Sequence, residues 1–224
     1  SGKVLYKETI NNKVEGVGDN PVGSYRRTFT LPEGWDAKNV FLHFDGLYSA
    51  AFVWVNGNYV GYTQGGNNDH EFDISSHVRT GENNICVQVF RWSDASYLEG
   101  QDMFHMSGLH RDVYLYATPK TFVRDHYITS TLNSTYNGGS MNVALEVDNR
   151  TAVAASKTIE AELIAPDGTV VATKSVNVDL NEGAKVKECN ILFDGLSSLQ
   201  TWTAETPNLY TVVVRQKDAD GNEE

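Results

Sequence analysis

The chain has 224 residues, of which 40% are hydrophobic and 21% charged, a globular composition long enough for two domains of ordinary size. Its formal net charge of −11 argues against nucleic acid and anionic membranes as partners, because both attract basic surfaces. No apolar run approaches the roughly 18 residues that a membrane-spanning helix requires.

The first half of the chain alternates apolar and polar residues with a period of two, which predicts β-strands. The strand-like segments are SYRRTFTL (24–31), NVFLHFDG (39–46), AAFVWVNGNYVGYTQ (50–64), NICVQVFRW (84–92) and RDVYLYA (111–117). Asn56-Gly57 predicts a type I′ turn between the arms of a hairpin. The segment FDISSHVRTGENN (72–84) is the one place in this half where we expect a helical turn. Short strands at this spacing are typical of a sandwich, here of jelly-roll type.

One connection, RWSDASYLEGQDM (91–103), is rich in acids and rings. It holds Asp94, Glu99 and Asp102 among Trp92 and Tyr97. Two carboxylates could be the acid and nucleophile of a glycosidase, which need rigid positions roughly 5–10 Å apart. However, a single loop rarely places two carboxylates on opposite sides of a sugar. The alternative is that the acids cap turns while the rings cover the end of the sandwich.

The second half predicts another all-β domain. Pro119 favours an extended linker, so we place the domains at residues 1–118 and 119–224. Short strands follow, with a turn predicted at PDG (166–168), and their number fits an immunoglobulin-like sandwich. The final DADGNEE indicates a turn into one more strand. We therefore expect the second sandwich to lack its last strand and the chain to be a piece of a longer protein.

Metal ligands and modification sites are weakly indicated. GNNDHEFD (66–73) offers Asp69, Glu71 and Asp73 with the amides of Asn67 and Asn68, but a solvated acidic loop is favoured over a calcium site. His105 and His110 lie five residues apart, a spacing that suits neither a strand pair nor a helical zinc pair.

Other motifs give little information about function. Cys86 and Cys189 each fit a small buried apolar residue better than half of a disulfide. The acceptor patterns at Asn133 and Asn149 arise by chance in Asn-rich β-proteins. No nucleophile motif or phosphate-binding loop is present in the sequence.

Several longer stretches resemble a known family. DNPVGSYRRTFTLPEGW, FLHFDGLYSAAFVWVNGNYVGYTQG and RWSDASYLEGQDM with MSGLHRDVYLY closely resemble the N-terminal sugar-binding domain of β-galactosidases of glycoside hydrolase family two. DGTVVATKSV and WTAETPNLYTVVV are similar to the immunoglobulin-like domain that follows it. The resemblance implies an all-β chain, with a galactose-binding-like jelly roll before an immunoglobulin-like sandwich.

The resemblance also implies where the chemistry lies. The catalytic glutamates of the family belong to a (β/α)₈ barrel after these domains, so this chain by itself should hold no catalytic residue and be inactive. Asp102 matches an aspartate that reaches the edge of the barrel's active site, ligates a sodium ion and helps to hold the galactose 6-hydroxyl. Trp92, Asp94, Tyr97 and Glu99 would then support the loop. A magnesium ion is compatible with the barrel, and calcium is not expected.

The implied partners are the barrel and later domains of the same chain, a β-galactoside, and further copies in a full-length homo-oligomer. Two segments depart from the family pattern. LYKETINNKVEGVG (5–18) replaces a Pro-rich segment with a sugar-contacting Asn, whose position we do not assign. NVDLNEGAKVKE (177–188) is shorter than a loop that some members extend into a neighbouring subunit. The bacterial periplasm and the cytoplasm both stay open.

Two alternative functions remain. A self-sufficient carbohydrate-binding module would use Tyr59, Tyr62 or Trp92 as a platform, although strand periodicity directs most of these rings into the core. A structural or adhesion β-sandwich would explain the fold but not the acidic loop.

Overall fold

A computed structural model describes residues 20–183 and 185–224, together with the segments Thr9–Ile10 and Lys13–Val14. The chain divides into two compact units, Ser1–Thr118 and Pro119–Glu224. Most of LYKETINNKVEGVG therefore lies outside the described residues. The one helix in the described part has four residues, and no described helix is long and apolar enough to cross a membrane.

The first unit is built of short strands and one helical turn. Its elements are β1 (Thr9–Ile10), β2 (Lys13–Val14), β3 (Val22–Thr30), β4 (Asn39–Phe44), β5 (Leu47–Tyr48), β6 (Ala50–Val55), β7 (Asn58–Gln64), β8 (His70–Asp73), β9 (Glu82–Phe90), α1 (Ala95–Leu98), β10 (Gly108–Leu109) and β11 (Val113–Thr118).

Two antiparallel sheets form the sandwich of this unit. Among the described residues, one sheet has the order β3-β9-β6-β7 and the other β11-β4-β8. Their inward side chains share one core, in which Phe44 and Leu42 of β4 pack in a cluster with Val53 of β6 and Val87 of β9. Burying each such side chain contributes about 1.5–3 kcal/mol. Short strands β5 and β10 pair beside this core.

Local signals in the sequence predicted the hairpin correctly. Asn56 and Gly57 adopt φ values of 51° and 80°, as a type I′ turn requires. The helical turn expected after β8 is also present, because the amides of His77 and Val78 both donate to the carbonyl of Ile74. The expectation that it would be alone in this half was wrong, since α1 forms a second turn at Ala95–Leu98.

A buried amide links three connections of this unit. Asn83 is 1% exposed, and its Oδ1 accepts from the Arg79 amide at 2.9 Å and from Asn56 Nδ2 at 2.8 Å. Its Nδ2 donates to the carbonyls of Arg79 and Gly81 at 2.8 and 3.0 Å. All four hydrogen-bonding positions of the amide are thus used, which a buried polar group requires.

The second unit is a sandwich of longer strands. They are β12 (Thr121–Leu132), β13 (Gly138–Asn149), β14 (Ala155–Ile164), β15 (Val170–Leu180), β16 (Lys185–Ser197) and β17 (Thr211–Lys217). Their sheet orders are β12-β13-β16 and β15-β14-β17 in the described residues. This arrangement agrees with the immunoglobulin-like fold that the sequence predicted. After β17, Glu223 bridges back to Lys217.

The core of the second unit lies between these sheets, with Val143, Leu145, Ile159 and Phe193 almost fully buried. The predicted PDG turn joins β14 to β15. There the Gly168 amide donates to the carbonyl of Ala165 at 2.9 Å, with Gly168 at φ 86°. Local turn chemistry therefore sets the register of this hairpin.

Two features of the second unit bear on chemistry. Asn149, one of the two acceptor-pattern asparagines, is 0% exposed, and its Nδ2 donates to the carbonyls of Val153 and Asn181. Its amide is therefore inaccessible to glycosylation in the folded chain. A pair of like charges lies on the outer face of the sheet β12-β13-β16, where Glu146 of β13 is directly opposite Glu188 of β16.

Candidate functional site

The acidic connection between β9 and β10 is a braced loop that contains α1. Its start is clamped by Asn20, whose Nδ2 donates to the Trp92 carbonyl while its Oδ1 accepts from the Trp92 amide, both at 2.9 Å. The first turn is formed by Ser93, whose amide donates to Ser96 Oγ at 3.1 Å, followed by the buried Ala95. Hydrogen bonds therefore hold both backbone groups of Trp92 and the first turn that follows it.

Arg91 closes the loop onto itself. Its guanidinium donates to the carbonyl of His105 at 2.8 Å and to Ser107 Oγ. It also lies 4.8 Å from the ring centroid of Trp92, within the range of a cation–π contact. His105 Nδ1 in turn lies 3.0 Å from the hydroxyl of the buried Tyr48. The two ends of the loop are thus held together and fixed to the core.

Glu99 ties the middle of the loop to a neighbouring turn. Its Oε2 accepts from the Gly66 amide at 2.8 Å. Only glycine fits at residue 66, because a Cβ there would lie 2.3 Å from Cδ2 of Tyr48. His70 holds the same turn from the other side, with Nε2 2.7 Å from the Gly65 carbonyl.

Asp102 lies beyond these braces and is exposed. In the described part of the chain, no hydrogen bond or ion pair to its carboxylate is found. It is surrounded in sequence by large apolar side chains that are also exposed: Leu98 at 83%, Met103 at 45%, Phe104 at 94% and Met106 at 57%. We call residues 98–106 the Asp102 tip. A carboxylate among exposed apolar side chains is available to an external partner.

The other predicted loop residues take different positions. Asp94 is exposed at the N-cap of α1 and makes no side-chain cap bond. Trp92 is half-buried, and Tyr97 lies in α1, with its side chain outside the described part. The structure therefore separates Glu99, held by a backbone amide, from Asp94 and Asp102, which are open to solvent.

Two acids of residues 66–73 lie beside His43, with Asp69 3.6 Å from its Nε2 and Glu71 3.8 Å from its Nδ1. Asp73 points to a different partner, since its Oδ1 accepts from the amide of Ser75 at 2.9 Å. Glu71 also accepts from the hydroxyl of Tyr116. Across the described residues, no group of three or more His, Cys, Asp or Glu side chains is arranged to hold a metal ion.

The two histidines of the weak metal pattern have different surroundings. His105 contacts Tyr48, as described above, while His110 Nδ1 is buried without a hydrogen-bond partner among the described residues. Both cysteines are free thiols and half-buried, one in each unit. Burial raises the pKa of the Cys189 thiol.

The expectation that most candidate sugar-platform rings enter the core was wrong for two of them. Tyr59 is 53% exposed and Tyr62 is 44% exposed. They are three residues apart, so strict alternation would place them on opposite faces. The register shifts between Val53 and Trp54, so that Tyr59 pairs with Trp54 and Tyr62 with Phe52 on one outer face.

Comparison with known proteins agrees with this architecture. Residues 2–119 match the model of the glycosyl hydrolases family 2 sugar binding domain, and residues 121–224 match a second model of glycosyl hydrolases family 2. The chain belongs to glycosyl hydrolase family 2. A β-galactosidase of Priestia megaterium is 38% identical over 203 residues, and one of Photobacterium profundum is 39% identical over 210 residues.

These alignments cover 91% of this chain but only 20% of either relative, so the chain spans about one fifth of the curated relatives it matches. Among solved structures, a family 2 member from Bacteroides cellulosilyticus is 26% identical with a TM-score of 0.79, covering 91% of this chain and 28% of that one. A Bacteroides uniformis β-glucuronidase has a TM-score of 0.84 at 24% identity, covering 92% and 25%. At that identity the latter shows the fold alone.

Sequence reasoning missed the braces of the loop. Asn20, Arg91 and His105 act over 14 to 72 residues of sequence, and no local pattern indicates such contacts. The only signal was Arg91 itself, a cation between two aromatic residues directly after a half-buried strand, β9.

Proposed function

We propose that this chain is the non-catalytic N-terminal part of a β-galactosidase, which hydrolyses terminal β-D-galactose residues. In this proposal the Asp102 tip covers the edge of an active site in a (β/α)₈ barrel of the same polypeptide. The observation that carries it is an exposed carboxylate among exposed large apolar side chains on a loop that is itself braced.

The energetics of the tip favour a covered surface. Removing apolar area from water contributes roughly 25 cal/mol per Å², and Leu98 and Phe104 are 83% and 94% exposed. Large apolar side chains that are exposed typically mark interaction sites when they gather in one patch, and these lie within nine residues of one loop. The apolar neighbours would dock against the barrel and so place the carboxylate.

The braces supply preorganisation. Arg91 and His105 fix the loop ends, and Glu99 fixes its middle through the Gly66 amide. A carboxylate on such a loop loses little conformational freedom when it meets a sugar or an ion. We assign Trp92, Asp94, Tyr97 and Glu99 to loop support within this proposal, and no catalytic role to any residue of the chain.

The Asp102 carboxylate is a suitable type of ligand for a sodium ion, but one carboxylate is too few to complete its coordination. Hard alkali cations take oxygen ligands, and a carboxylate supplies oxygen with charge. The described residues supply no cluster that would complete the coordination. Asp102 would therefore contribute one carboxylate to a site whose other ligands come from the barrel and the sugar.

The test is a chimaera in which this chain replaces the matching segment of the Priestia megaterium β-galactosidase. Hydrolysis of o-nitrophenyl β-D-galactoside is measured in sodium and in potassium buffers of equal ionic strength. We expect activity that responds to sodium, and Asp102→Ala should raise KM about tenfold or more, equivalent to about 1.4 kcal/mol, and remove the sodium response.

Asp36→Ala is the matched control, because Asp36 is an exposed acid of the same unit outside the loop. The isolated chain should not hydrolyse the substrate. Unchanged kinetics and an unchanged sodium response in the Asp102→Ala chimaera would contradict the proposal, as would hydrolysis by the isolated chain.

The carbohydrate-binding alternative is favoured by one observation, the aromatic face of the first unit.

A further inference from the structure

A groove runs along one side of the first sandwich, between strands β3 and β11. Each of these strands is at the edge of its sheet in the described residues. The groove, which we call the lateral groove, has a volume of about 840 Å³ and is lined by residues 25–30 of β3 and 113–115 of β11. Its floor consists of Leu42 and Phe44 of β4 with Ile85 and Val87 of β9. It therefore leads from the surface to the core.

Side chains on the core side of the two edge strands are exposed along this groove. Tyr25 lies directly opposite Val87, and Val113 lies directly opposite Phe44. Directly opposite residues of an antiparallel pair share one face of the sheet. Val87 and Phe44 are 3% and 0% exposed, whereas Tyr25 is 41% and Val113 37% exposed. Seven of the nine residues of β3 are exposed, against two of the six in β11, so the sandwich lacks a cover mainly at β3.

The gap suits one more strand. An edge strand presents backbone N–H and C=O groups on its outer side, and these pair readily with another extended segment. A segment of about six residues, at about 3.3 Å per residue, would run the length of residues 25–30. Tyr25 and Phe29 lie on the same face of β3, four residues apart. A segment with apolar side chains at alternate positions would cover both and keep its polar side chains outside.

The rim of the groove is basic in an acidic chain. Arg26, Arg27 and Arg111 contribute to its lining and Asp112 is the one acid there, although the net charge of the chain is −11. The arginine ion pairs of the described residues lie in the second unit. Arg26 is opposite Cys86, on the face of β3 that points away from the core. A carboxylate on the outer side of an added strand would lie beside it.

We propose that the lateral groove binds one extended segment of the same polypeptide, from outside these 224 residues, with apolar side chains toward Tyr25 and Phe29 and a carboxylate beside Arg26. The chain spans about one fifth of the curated relatives it matches, so about four fifths of a polypeptide of that length could supply the segment. Residues 1–19 of the chain fit the basic rim less well, since their three lysines balance their three acids. The proposal does not rest on galactoside hydrolysis.

Synthetic peptides test the groove in the isolated chain. The probe is a peptide of about seven residues that alternates valine and glutamate, and its control alternates valine and lysine. Amide resonances of residues 22–30 and the indole resonance of Trp35, which also lines the groove, are followed during titration at low salt. We expect saturable shifts with the glutamate peptide, at a Kd below about 1 mM, and none with the lysine peptide. Methylation of the peptide backbone nitrogens should abolish binding, because strand pairing needs those donors.

Two variants test the charge of the rim. Arg26→Glu should weaken binding of the glutamate peptide about fivefold or more, because attraction across the strand pair becomes repulsion. Arg124→Glu is the matched control, since Arg124 is an exposed arginine of β12 in the second unit and should leave binding unchanged. Equal affinities of Arg26→Glu and the parent chain would overturn the proposal.

Hydrogen–deuterium exchange tests whether the groove is filled in a full-length polypeptide. Exchange of residues 24–30 is compared between the isolated chain and the chimaera described above. We expect exchange at least about tenfold slower in the chimaera, and equal rates in the two proteins would overturn the proposal. This measurement needs neither hydrolysis nor a sodium response, so the two proposals fail separately.

Other occupants would give different results, each of which overturns the proposal. Peptide binding that appears only after deletion of residues 1–19 would assign the groove to those residues. Self-association of the chain in sedimentation experiments, weakened by Arg26→Glu, would assign it to the acidic Asp102 tip of a second copy. Binding of both peptides, or of neither with or without residues 1–19, would show that the groove does not select an acidic strand.

Discussion

The brace at Arg91 gives the sharpest prediction for the acidic loop. Truncation in Arg91→Ala removes the donors to the His105 carbonyl and to Ser107 Oγ, as well as the cation–π contact with Trp92. A net hydrogen bond contributes about 0.5–1.5 kcal/mol, and a cation–π contact at a partly exposed site about 0.5–1 kcal/mol. The sum, reduced for partial exposure, is about 2 kcal/mol.

This loss should appear as local opening, because the contacts join the loop ends rather than the two sheets. Gly108 and Leu109 of β10 follow Ser107 directly and pair with β5. If their exchange proceeds through opening of the loop, a loss of about 2 kcal/mol corresponds to roughly 30-fold faster exchange. Hydrogen–deuterium exchange of a peptide that covers residues 107–110 measures this directly.

The controls separate the brace from a general effect of charge. Arg27→Ala removes an exposed arginine of β3 and should leave exchange at residues 107–110 unchanged. Arg91→Lys keeps the charge but loses the forked geometry, so it should fall between the parent chain and Arg91→Ala. Exchange that rises less than about threefold in Arg91→Ala would show that the loop ends are held by other contacts.

Three other predictions concern stability. Asn83→Asp should lower the free energy of unfolding of the first unit by about 3 kcal/mol in urea melts, because the new carboxylate would face the carbonyls of Arg79 and Gly81. A loss below about 1 kcal/mol would contradict this prediction. Glu188→Thr should raise thermal stability by about 0.5 kcal/mol by removing the like charge opposite Glu146, and the gain should shrink in high salt. Hydrogen bonds from the side chain and backbone of Thr169 lower the pKa of Asp167 below its usual range. The folded pKa is depressed, so this stabilisation is present above the unfolded pKa of about 3.9 and is lost as pH falls through the folded pKa. Asp167→Asn should abolish this pH dependence. An Asp167 carboxyl that titrates at its ordinary value in an NMR pH series would refute the prediction.

The sequence predicted those features of the fold that depend on neighbouring residues. Asn56-Gly57 and the PDG turn specify backbone conformations by themselves, and alternation specifies which strands have a buried face. The helical turn α1 was missed because four residues are too few to show a helical period.

The outer face and the loop braces could not be predicted in the same way. The exposure of Tyr59 and Tyr62 depends on one bulged residue, which reverses the alternation, and the sequence of the hairpin carries no distinct signal for it. The contacts of Arg91 with His105, and of Glu99 with Gly66, join residues 14 and 33 positions apart, and no local sequence pattern indicates them.

The closed base of the acidic loop has a consequence for how such proteins diversify. The contacts that hold the loop are made at Trp92, Glu99 and His105, so they do not involve residues 100–104 at the centre of the Asp102 tip. Segments of different length or composition can be exchanged between these ends without rebuilding the core. A lineage could therefore replace this one segment while keeping the sandwich, and a protein engineer could graft it between relatives.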